Sequence, residues 1–311
     1  MSPAVLLITF VVMAMASSLP VGESAVTVSK VSFPGPGSVT LSAVRYEPDG
    51  FSGGSNFPAV VMMHGCSGMW SNNIVDAANS NGTPNLQNQI EKWGLKLAGV
   101  GAVALAVDSF TPRGLLTQAE QNQCGGTSSV DPYTTRVQDA RLAHSYLTGL
   151  AGSKVNGASV ALLGWSHGAQ STLVEAAATP RDSTSERLVT EHIFAASVAF
   201  YPGCGTALGF GSTVAGSYWR PYRSLQLHVG TADGFYSNCQ TRATIAQGSP
   251  YNADVAFFGY SDAAHSFDGV SQTWASSKCT AAEIPTKPDE CAMRAGDIDG
   301  LAFLKTKLGL S

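Results

Sequence analysis

Ser166 lies in the pentapeptide G-W-S-H-G (164–168), directly after the apolar run V-A-L-L-G (160–164). A serine held between small residues on a sharp strand-to-helix turn, a nucleophile elbow, exposes its hydroxyl for attack. Residues 169–178 are rich in Ala and end before Thr179-Pro180, which predicts the helix that such a turn requires. We therefore predict that Ser166 is a nucleophile, although the same pattern also fits a purely structural turn.

A glycine-rich loop, H-G-C-S-G (64–68), follows residues 59–63, an apolar run typical of a strand that is covered on both faces. A serine nucleophile needs N–H donors for the negative oxygen that forms on the attacked carbonyl group. We predict that the backbone amides of Cys66 and His167 form this oxyanion hole. The alternative is a glycine-rich turn with no catalytic role.

A nucleophilic serine also needs a general base, and the chain has six histidines. His265 follows the strand-like residues 255–260 in a loop that is expected at the carboxyl edge of the sheet. The other histidines are predicted inside a strand, on helices or in the two turns themselves, and they are His228, His144, His192, His64 and His167. We therefore predict that His265 is the base.

The acid that orients the base is predicted to be Asp233, in G-T-A-D-G (230–234) after the strand-like residues 225–229. Asp254 and Asp262 are placed for local contacts only. Asp108 precedes the serine and breaks the order Ser, Asp, His that this type of site follows. The predicted triad is therefore Ser166, Asp233 and His265.

With these parts in order, the chain resembles the dienelactone hydrolase branch of the α/β-hydrolase superfamily, in particular its secreted bacterial members. The resemblance covers about residues 39–308 and rests on five motifs and the segment 230–233; the motifs are H-G-C-S-G (64–68), V-D-S-F-T-P-R-G (107–114), L-L-G-W-S-H-G-A (162–169), F-Y-P-G-C (200–204) and A-H-S-F-D (264–268). It implies an α/β fold, with a mostly parallel central sheet and helices on both faces. True dienelactone hydrolases have a cysteine nucleophile and a glutamate beside the oxyanion loop, whereas this chain has Ser166 and Gly65, so the dienelactone substrate is not implied.

Composition favours one globular domain over residues 26–311. The chain has 311 residues, of which 44% are hydrophobic and 13% are charged, enough to bury a large core. Its formal net charge is −4, and it has no basic stripe, which argues against a nucleic-acid partner.

The first 25 residues are predicted to be a signal peptide. Residues 4–16 are apolar but too short to span a bilayer comfortably, and A-M-A (14–16) offers a cleavage site, with a second one after Ala25. We therefore expect a secreted or periplasmic protein without stable membrane insertion. The alternative is an uncleaved anchor.

Six cysteines fit an oxidising compartment, and none of them has the spacing of a metal site. Spacing alone does not determine their connectivity. From the resemblance and the loop positions we expect Cys66–Cys124, Cys204–Cys239 and Cys279–Cys291. A free Cys66 would instead be a reactive thiol inside the site.

For the substrate pocket, we predict that Phe110 and Trp165 line an aromatic cleft, the alternative being that they fill the core. Arg113 is a candidate for binding a substrate carboxylate, or it fixes its own loop by bonding carbonyl groups. We also expect an N-terminal hairpin from residues 26–33 and 39–46, and a last helix over residues 296–308.

These observations predict a serine hydrolase that cleaves small-molecule or polymeric carboxylic esters through an acyl-enzyme, without a cofactor. A peptidase or a polyester depolymerase would use the same triad, because fold does not determine substrate. A non-catalytic binding protein with the same fold is the alternative from another class, and it would be expected to have a broken triad.

Overall fold

The computed structural model describes residues 26–124, 128–152, 154–178, 192–205, 219–249 and 252–310. The predicted signal peptide, residues 1–25, lies outside the described residues. Two strands, β1 (Thr27–Pro34) and β2 (Thr40–Glu47), pair antiparallel as the predicted hairpin. The hairpin joins the central sheet through β2, which pairs antiparallel with β4.

Six further strands complete an eight-stranded sheet, with the order β1-β2-β4-β3-β5-β6-β7-β8. They are β3 (Phe57–Met63), β4 (Val103–Asp108), β5 (Val155–Trp165), β6 (Ala196–Phe200), β7 (Leu225–Gly230) and β8 (Val255–Tyr260). From β4 to β8 every neighbouring pair is parallel. Because parallel strands end at a common edge, the loops after β3, β5, β7 and β8 meet there.

Helices cover both faces of the sheet. The central parallel strands are apolar on both faces, so both faces must be buried. The helices are α1 (Asn88–Gly99), α2 (Gln118–Gln121), α3 (Thr135–Thr148), α4 (His167–Glu175), α5 (Tyr236–Gln247) and α6 (Pro288–Leu308). Helices α1 and α6 share a buried cluster with one face of the sheet, and α3, α4 and α5 pack against the other. The predicted fold class, a mostly parallel α/β sheet, is confirmed.

The last helix begins earlier than predicted. It starts at Pro288 rather than at Gly296, because proline is tolerated in the first turn of a helix and Asp289 and Glu290 complement the helix dipole there. Gly296 therefore lies inside α6, where a Cβ atom would come within 2.8 Å of the Phe200 ring. The glycine allows close packing of the helix on the sheet and does not mark the start of the helix.

Three disulfides join Cys66 to Cys124, Cys204 to Cys239 and Cys279 to Cys291. These are the pairs that the resemblance implied, and all six cysteines are used. Within the described ranges, no helix is long and apolar enough to cross a membrane.

Candidate active site

Ser166 connects β5 to α4 in a strained backbone conformation, with φ 48° and ψ −111°. A non-glycine residue rarely adopts a positive φ, so the surrounding structure must hold it there. The two flanking glycines make this possible. A Cβ atom on Gly168 would lie 2.1 Å from the carbonyl oxygen of Met63, and one on Gly164 would lie 2.4 Å from Thr172 Oγ1. The motif is therefore a nucleophile elbow in which side chains at the glycine positions are sterically excluded.

The structure brings the three predicted triad residues together at the carboxyl edge of the sheet. Ser166 Oγ lies 2.9 Å from His265 Nε2, and His265 Nδ1 lies 2.7 Å from Asp233 Oδ2. Asp233 follows β7 and His265 follows β8, so neighbouring parallel strands place the acid and the base side by side. Because a carboxylate can only accept a hydrogen bond, Nδ1 of His265 carries the proton and Nε2 faces the serine as an acceptor.

The carboxylate of Asp233 is held in place on both oxygens. Its Oδ1 accepts a 2.9 Å hydrogen bond from the Phe235 amide, while Oδ2 faces His265. The Asp233 side chain is 1% exposed and that of His265 is 36% exposed. The acid is therefore shielded from water, and the base remains open to the cleft.

The other aspartates considered as acids have partners elsewhere. Asp108 is buried and accepts hydrogen bonds from Trp70 Nε1 and from the backbone amides after it. Asp254 bonds to Ser224 and lies 3.3 Å from Lys307 Nζ. Asp262 bonds to Ser261. Only Asp233 among these carboxylates contacts His265.

The two residues predicted to donate backbone amides to the oxyanion border the cleft from separate elements. Cys66 lies in the loop after β3, His167 is the first residue of α4, and both line the cleft that contains Ser166. Among the described residues, neither amide has a hydrogen-bond acceptor. The Cys66–Cys124 disulfide and a 2.8 Å hydrogen bond from the Gln123 amide to the Cys66 carbonyl hold the loop. Both amides are thus available for an oxygen of a bound substrate.

Gly65, beside the predicted oxyanion donor, has room for a side chain. A Cβ atom there would meet only Ser166 Cβ and the Trp165 carbonyl oxygen, each at 3.7 Å, which is ordinary van der Waals contact. The absence of a side chain at this position therefore widens the cleft beside the nucleophile.

A fully buried arginine lies behind the two turns. The Arg136 guanidinium contacts His167 Nδ1 at 2.7 Å and donates a 2.8 Å hydrogen bond to the carbonyl oxygen of His64. Burial lowers the pKa of Arg136 to about 9, so it is still a cation at neutral pH. Burial, reinforced by this cation, lowers the pKa of His167 to about 3. His167 is therefore neutral, and because Arg136 can only donate, its proton is on Nε2.

Arg113 is not part of the described cleft lining, and its contacts favour the alternative that it fixes its own loop. Its guanidinium forms two hydrogen bonds to Asp139, at 2.9 and 2.7 Å, and a third at 2.6 Å to the carbonyl oxygen of Ser109. Phe110 is also not a cleft residue: it is fully buried, and its ring packs edge-on against His64. Both side chains support the loop from inside. Trp165 borders the cleft, but it is also fully buried and its indole bonds to Asp268, which fits the alternative that it fills the core.

Asp268 is a site residue that we did not identify from the sequence. It is fully buried three positions after His265, and it accepts hydrogen bonds from Trp165 Nε1 at 2.7 Å and from the Tyr201 hydroxyl. Burial raises the pKa of Asp268, and the positive charge of Lys92 opposes that shift. The A-H-S-F-D motif contained the signal, because an aspartate in an apolar segment needs buried donors.

These residues surround an open cleft of 1010 Å³. Besides the triad serine and histidine, its described lining includes Trp165, Tyr201 and Phe235 and a set of amide and hydroxyl side chains. No group of His, Cys, Asp or Glu within the described ranges could hold a metal ion.

Solved structures with the same fold include several hydrolases. Esterase 2 of Thermogutta terrifontis, phosphorylated by paraoxon, is 16% identical over 91% of this chain and 95% of its own, with a TM-score of 0.61. A putative dienelactone hydrolase from Klebsiella pneumoniae is 16% identical over 90% and 98%, with a TM-score of 0.59. Brefeldin A esterase, a bacterial homologue of human hormone-sensitive lipase, is 16% identical over 95% and 81%, with a TM-score of 0.57.

No family model matches the chain, and neither does any curated protein. At these identities the structural likeness establishes the fold. The chain has the α/β-hydrolase fold.

Proposed function

We propose that this protein is an exported serine hydrolase that cleaves carboxylic esters, similar to the dienelactone hydrolase family. The observation that carries the proposal is the hydrogen-bonded chain from Ser166 through His265 to Asp233, with separations of 2.9 and 2.7 Å. The serine lies on a strained elbow, and the acid and base follow adjacent strands. Nucleophile, base and orienting acid within hydrogen-bond reach are the arrangement that activates a serine.

In the first half of the reaction, Ser166 Oγ forms a bond to the ester carbonyl carbon while His265 Nε2 takes the serine proton. The Asp233 carboxylate stabilises the imidazolium through Nδ1–H. The carbonyl oxygen becomes negative, and the Cys66 and His167 amides donate hydrogen bonds to it. The C–O bond to the alcohol then breaks, and the alcohol leaves with the proton from His265.

In the second half, water attacks the acyl group on Ser166. His265 takes a proton from this water and then returns it to Ser166 Oγ as the bond to the acyl group breaks. The 36% exposure of the His265 side chain is consistent with entry of water from the cleft. The reaction needs no cofactor.

The three structural neighbours described above are two esterases and a putative dienelactone hydrolase. This supports an ester rather than a peptide as the substrate. The open cleft accommodates either a small ester or one segment of a polymer. Export is supported by the three disulfides, because such bonds persist in oxidising compartments.

The experiment compares turnover of p-nitrophenyl esters, peptide anilides and a polyester powder by the wild type and by Ser166→Ala. We expect hydrolysis of the nitrophenyl esters, loss of at least about 10³-fold in Ser166→Ala, and labelling of Ser166 by a fluorophosphonate in the wild type only. A folded Ser166→Ala variant with near-normal turnover would overturn the assignment. Preferred cleavage of the anilides or the powder would identify a peptidase or a depolymerase instead.

A further inference from the structure

The cleft wall next to the nucleophile contains a hydrogen-bond donor that has no partner among the residues that the structure describes. His167 is 8% exposed and lines the cleft, and its Nε2 has no hydrogen-bond partner among the described residues. Since Arg136 occupies Nδ1, Nε2 is the protonated nitrogen and can only donate. Buried donors are normally paired, so this nitrogen beside the nucleophile is free to donate to an acceptor on a ligand.

The described lining of the rest of the wall is rich in polar side chains and almost free of charged ones. Six amide side chains line it: Asn72, Gln87, Asn88, Gln89, Gln123 and Gln170. Its described lining contains no Lys, Arg or Glu, and the one carboxylate outside the triad, Asp131, accepts a hydrogen bond from the Tyr133 amide. Small-molecule pockets are usually mostly apolar with few polar groups, so this composition differs from the common case.

Two of these amides, Gln87 and Gln89, are fixed in orientation by a hydrogen bond between them. Gln89 Nε2 donates to Gln87 Oε1 at 2.9 Å, and Gln87 Nε2 donates to Ser67 Oγ at 2.8 Å. The Ser67 hydroxyl therefore accepts from Gln87 and keeps its own proton for another acceptor. Groups oriented in advance bind a polar ligand with little further loss of side-chain entropy.

We propose that the cleft selects neutral, oxygen-rich esters such as acylated polyols and carbohydrates, and that His167 Nε2–H donates to an ether or hydroxyl oxygen of the substrate. Neutral amides and hydroxyls recognise hydroxyl groups through hydrogen bonds. In the described lining a carboxylate would find no Lys or Arg, and an ammonium group would find only Asp131 outside the triad. This inference rests on the proposed ester hydrolysis and specifies its substrate class.

The experiment uses pairs of esters that differ only in one ether oxygen. The first pair is p-nitrophenyl pentanoate and its analogue with an ether oxygen in place of one chain methylene. The second pair is butyl acetate and its analogue with an ether oxygen in place of one methylene of the butyl chain. In this pair the ether oxygen lies on the alcohol side of the ester. Values of kcat/KM are divided by the rate constants for hydroxide hydrolysis, which removes differences in intrinsic reactivity.

For the wild type we expect the ether ester to be preferred by about 3- to 10-fold in at least one pair, the factor that one neutral hydrogen bond provides. In His167→Phe, which keeps a ring but loses the donor, the ratio should fall to about 1. His144→Phe is the matched control, since His144 is a partly buried histidine of α3 that does not line the cleft. It should retain the wild-type ratio.

The outcomes separate this inference from the proposed function. Turnover of the esters with equal normalised rates in both wild-type pairs would overturn the inference and leave the ester hydrolase intact. A preference that persists in His167→Phe would overturn the role of His167. Absence of turnover of every ester would overturn both. The wild-type ratios decide the substrate class even if His167→Phe does not fold.

Discussion

The indole Nε1 of Trp165 donates a 2.7 Å hydrogen bond to the carboxylate of Asp268. Trp165 directly precedes the elbow serine, and Asp268 follows His265 by three residues. The bond therefore connects the loop that carries the base to the turn that carries the nucleophile. Tyr201, which also lines the cleft, donates to the other oxygen of the same carboxylate.

We predict that Asp268→Ala lowers the free energy of unfolding by roughly 2–6 kcal/mol, about 1–3 kcal/mol for each donor left unsatisfied. Turnover should also fall, because the Trp165 and His265 segments lose their connection. Asp268→Asn keeps one acceptor and should be affected less. Urea titrations with ester assays on the folded protein test this, and an Asp268→Ala protein with wild-type stability would contradict it.

The acid should be identified by comparing two aspartate-to-asparagine changes. Asp233→Asn keeps the shape but places a donor opposite His265 Nδ1, which favours the wrong tautomer, so kcat/KM should fall on the order of 10⁴-fold. Asp262→Asn is the control, since the Asp262 carboxylate accepts a hydrogen bond from Ser261 and does not contact His265, and its left-handed φ of 57° also suits asparagine. Equal losses in the two variants would show that the acid has been misassigned.

The two elbow glycines should not tolerate alanine. Gly168→Ala would place a Cβ atom 2.1 Å from the Met63 carbonyl oxygen, so backbone must shift, and we expect a loss of about 3 kcal/mol or more of unfolding free energy. Gly99→Ala, at the end of α1, meets nothing within 4 Å and should be neutral or stabilising by up to about 1 kcal/mol. Thermal unfolding of both variants measures the contrast, and similar melting temperatures would refute it.

The contribution of His167 to stability should depend on pH. Its pKa in the folded protein is lowered to about 3, whereas an unfolded histidine titrates near pH ~6.5. Between these values the unfolded chain binds a proton that the folded protein does not, so stability falls as the pH falls. The wild type should therefore lose stability relative to His167→Phe on acidification, by up to about 1.4 kcal/mol per pH unit.

Denaturant titrations of the wild type and His167→Phe, in steps from about pH 7 to about pH 4, provide this difference. Other titrating groups, including Glu175 and Asp297 with pKa values raised to about 7 by burial, contribute to both proteins and cancel to first order. A difference that stays constant over the range would mean that His167 titrates normally in the folded state.

Removing one disulfide or another should affect catalysis and stability to different extents. Replacing Cys66 and Cys124 by serine releases the predicted oxyanion loop, so kcat should fall in protein that is still folded. Cys279 and Cys291 are 12 positions apart in the sequence and do not line the described cleft, so replacing both should lower mainly the melting temperature. Removal of either disulfide should lower the free energy of unfolding by about 2–4 kcal/mol. Equal kcat values in the two double variants would remove the proposed link to the oxyanion hole.

Local patterns were sufficient to predict the parts of the site that depend on strand ends. The G-W-S-H-G turn and the loops after residues 225–229 and 255–260 were read from apolar runs followed by turn residues, and parallel strands bring such ends together. The structure places Ser166, Asp233 and His265 within hydrogen-bond distance as expected.

Long-range pairing of side chains could not be predicted in the same way. Arg113 was a candidate for substrate binding because nothing in the sequence shows that Asp139, 26 residues later, takes its guanidinium. Arg136 gave no signal either, since a cation inside a helix is usually exposed. The identity of a buried partner depends on how α3 packs against the two turns, which no local pattern encodes.

The space around Gly65 bears on how this site differs from that of the dienelactone hydrolases. Dienelactone hydrolases, which the chain resembles, combine a cysteine nucleophile with a glutamate beside the oxyanion loop. A Cβ atom at position 65 would meet only atoms at 3.7 Å, so the backbone here is already compatible with a side chain. A side chain at position 65 would therefore start from a backbone that already has space for its Cβ atom beside the elbow.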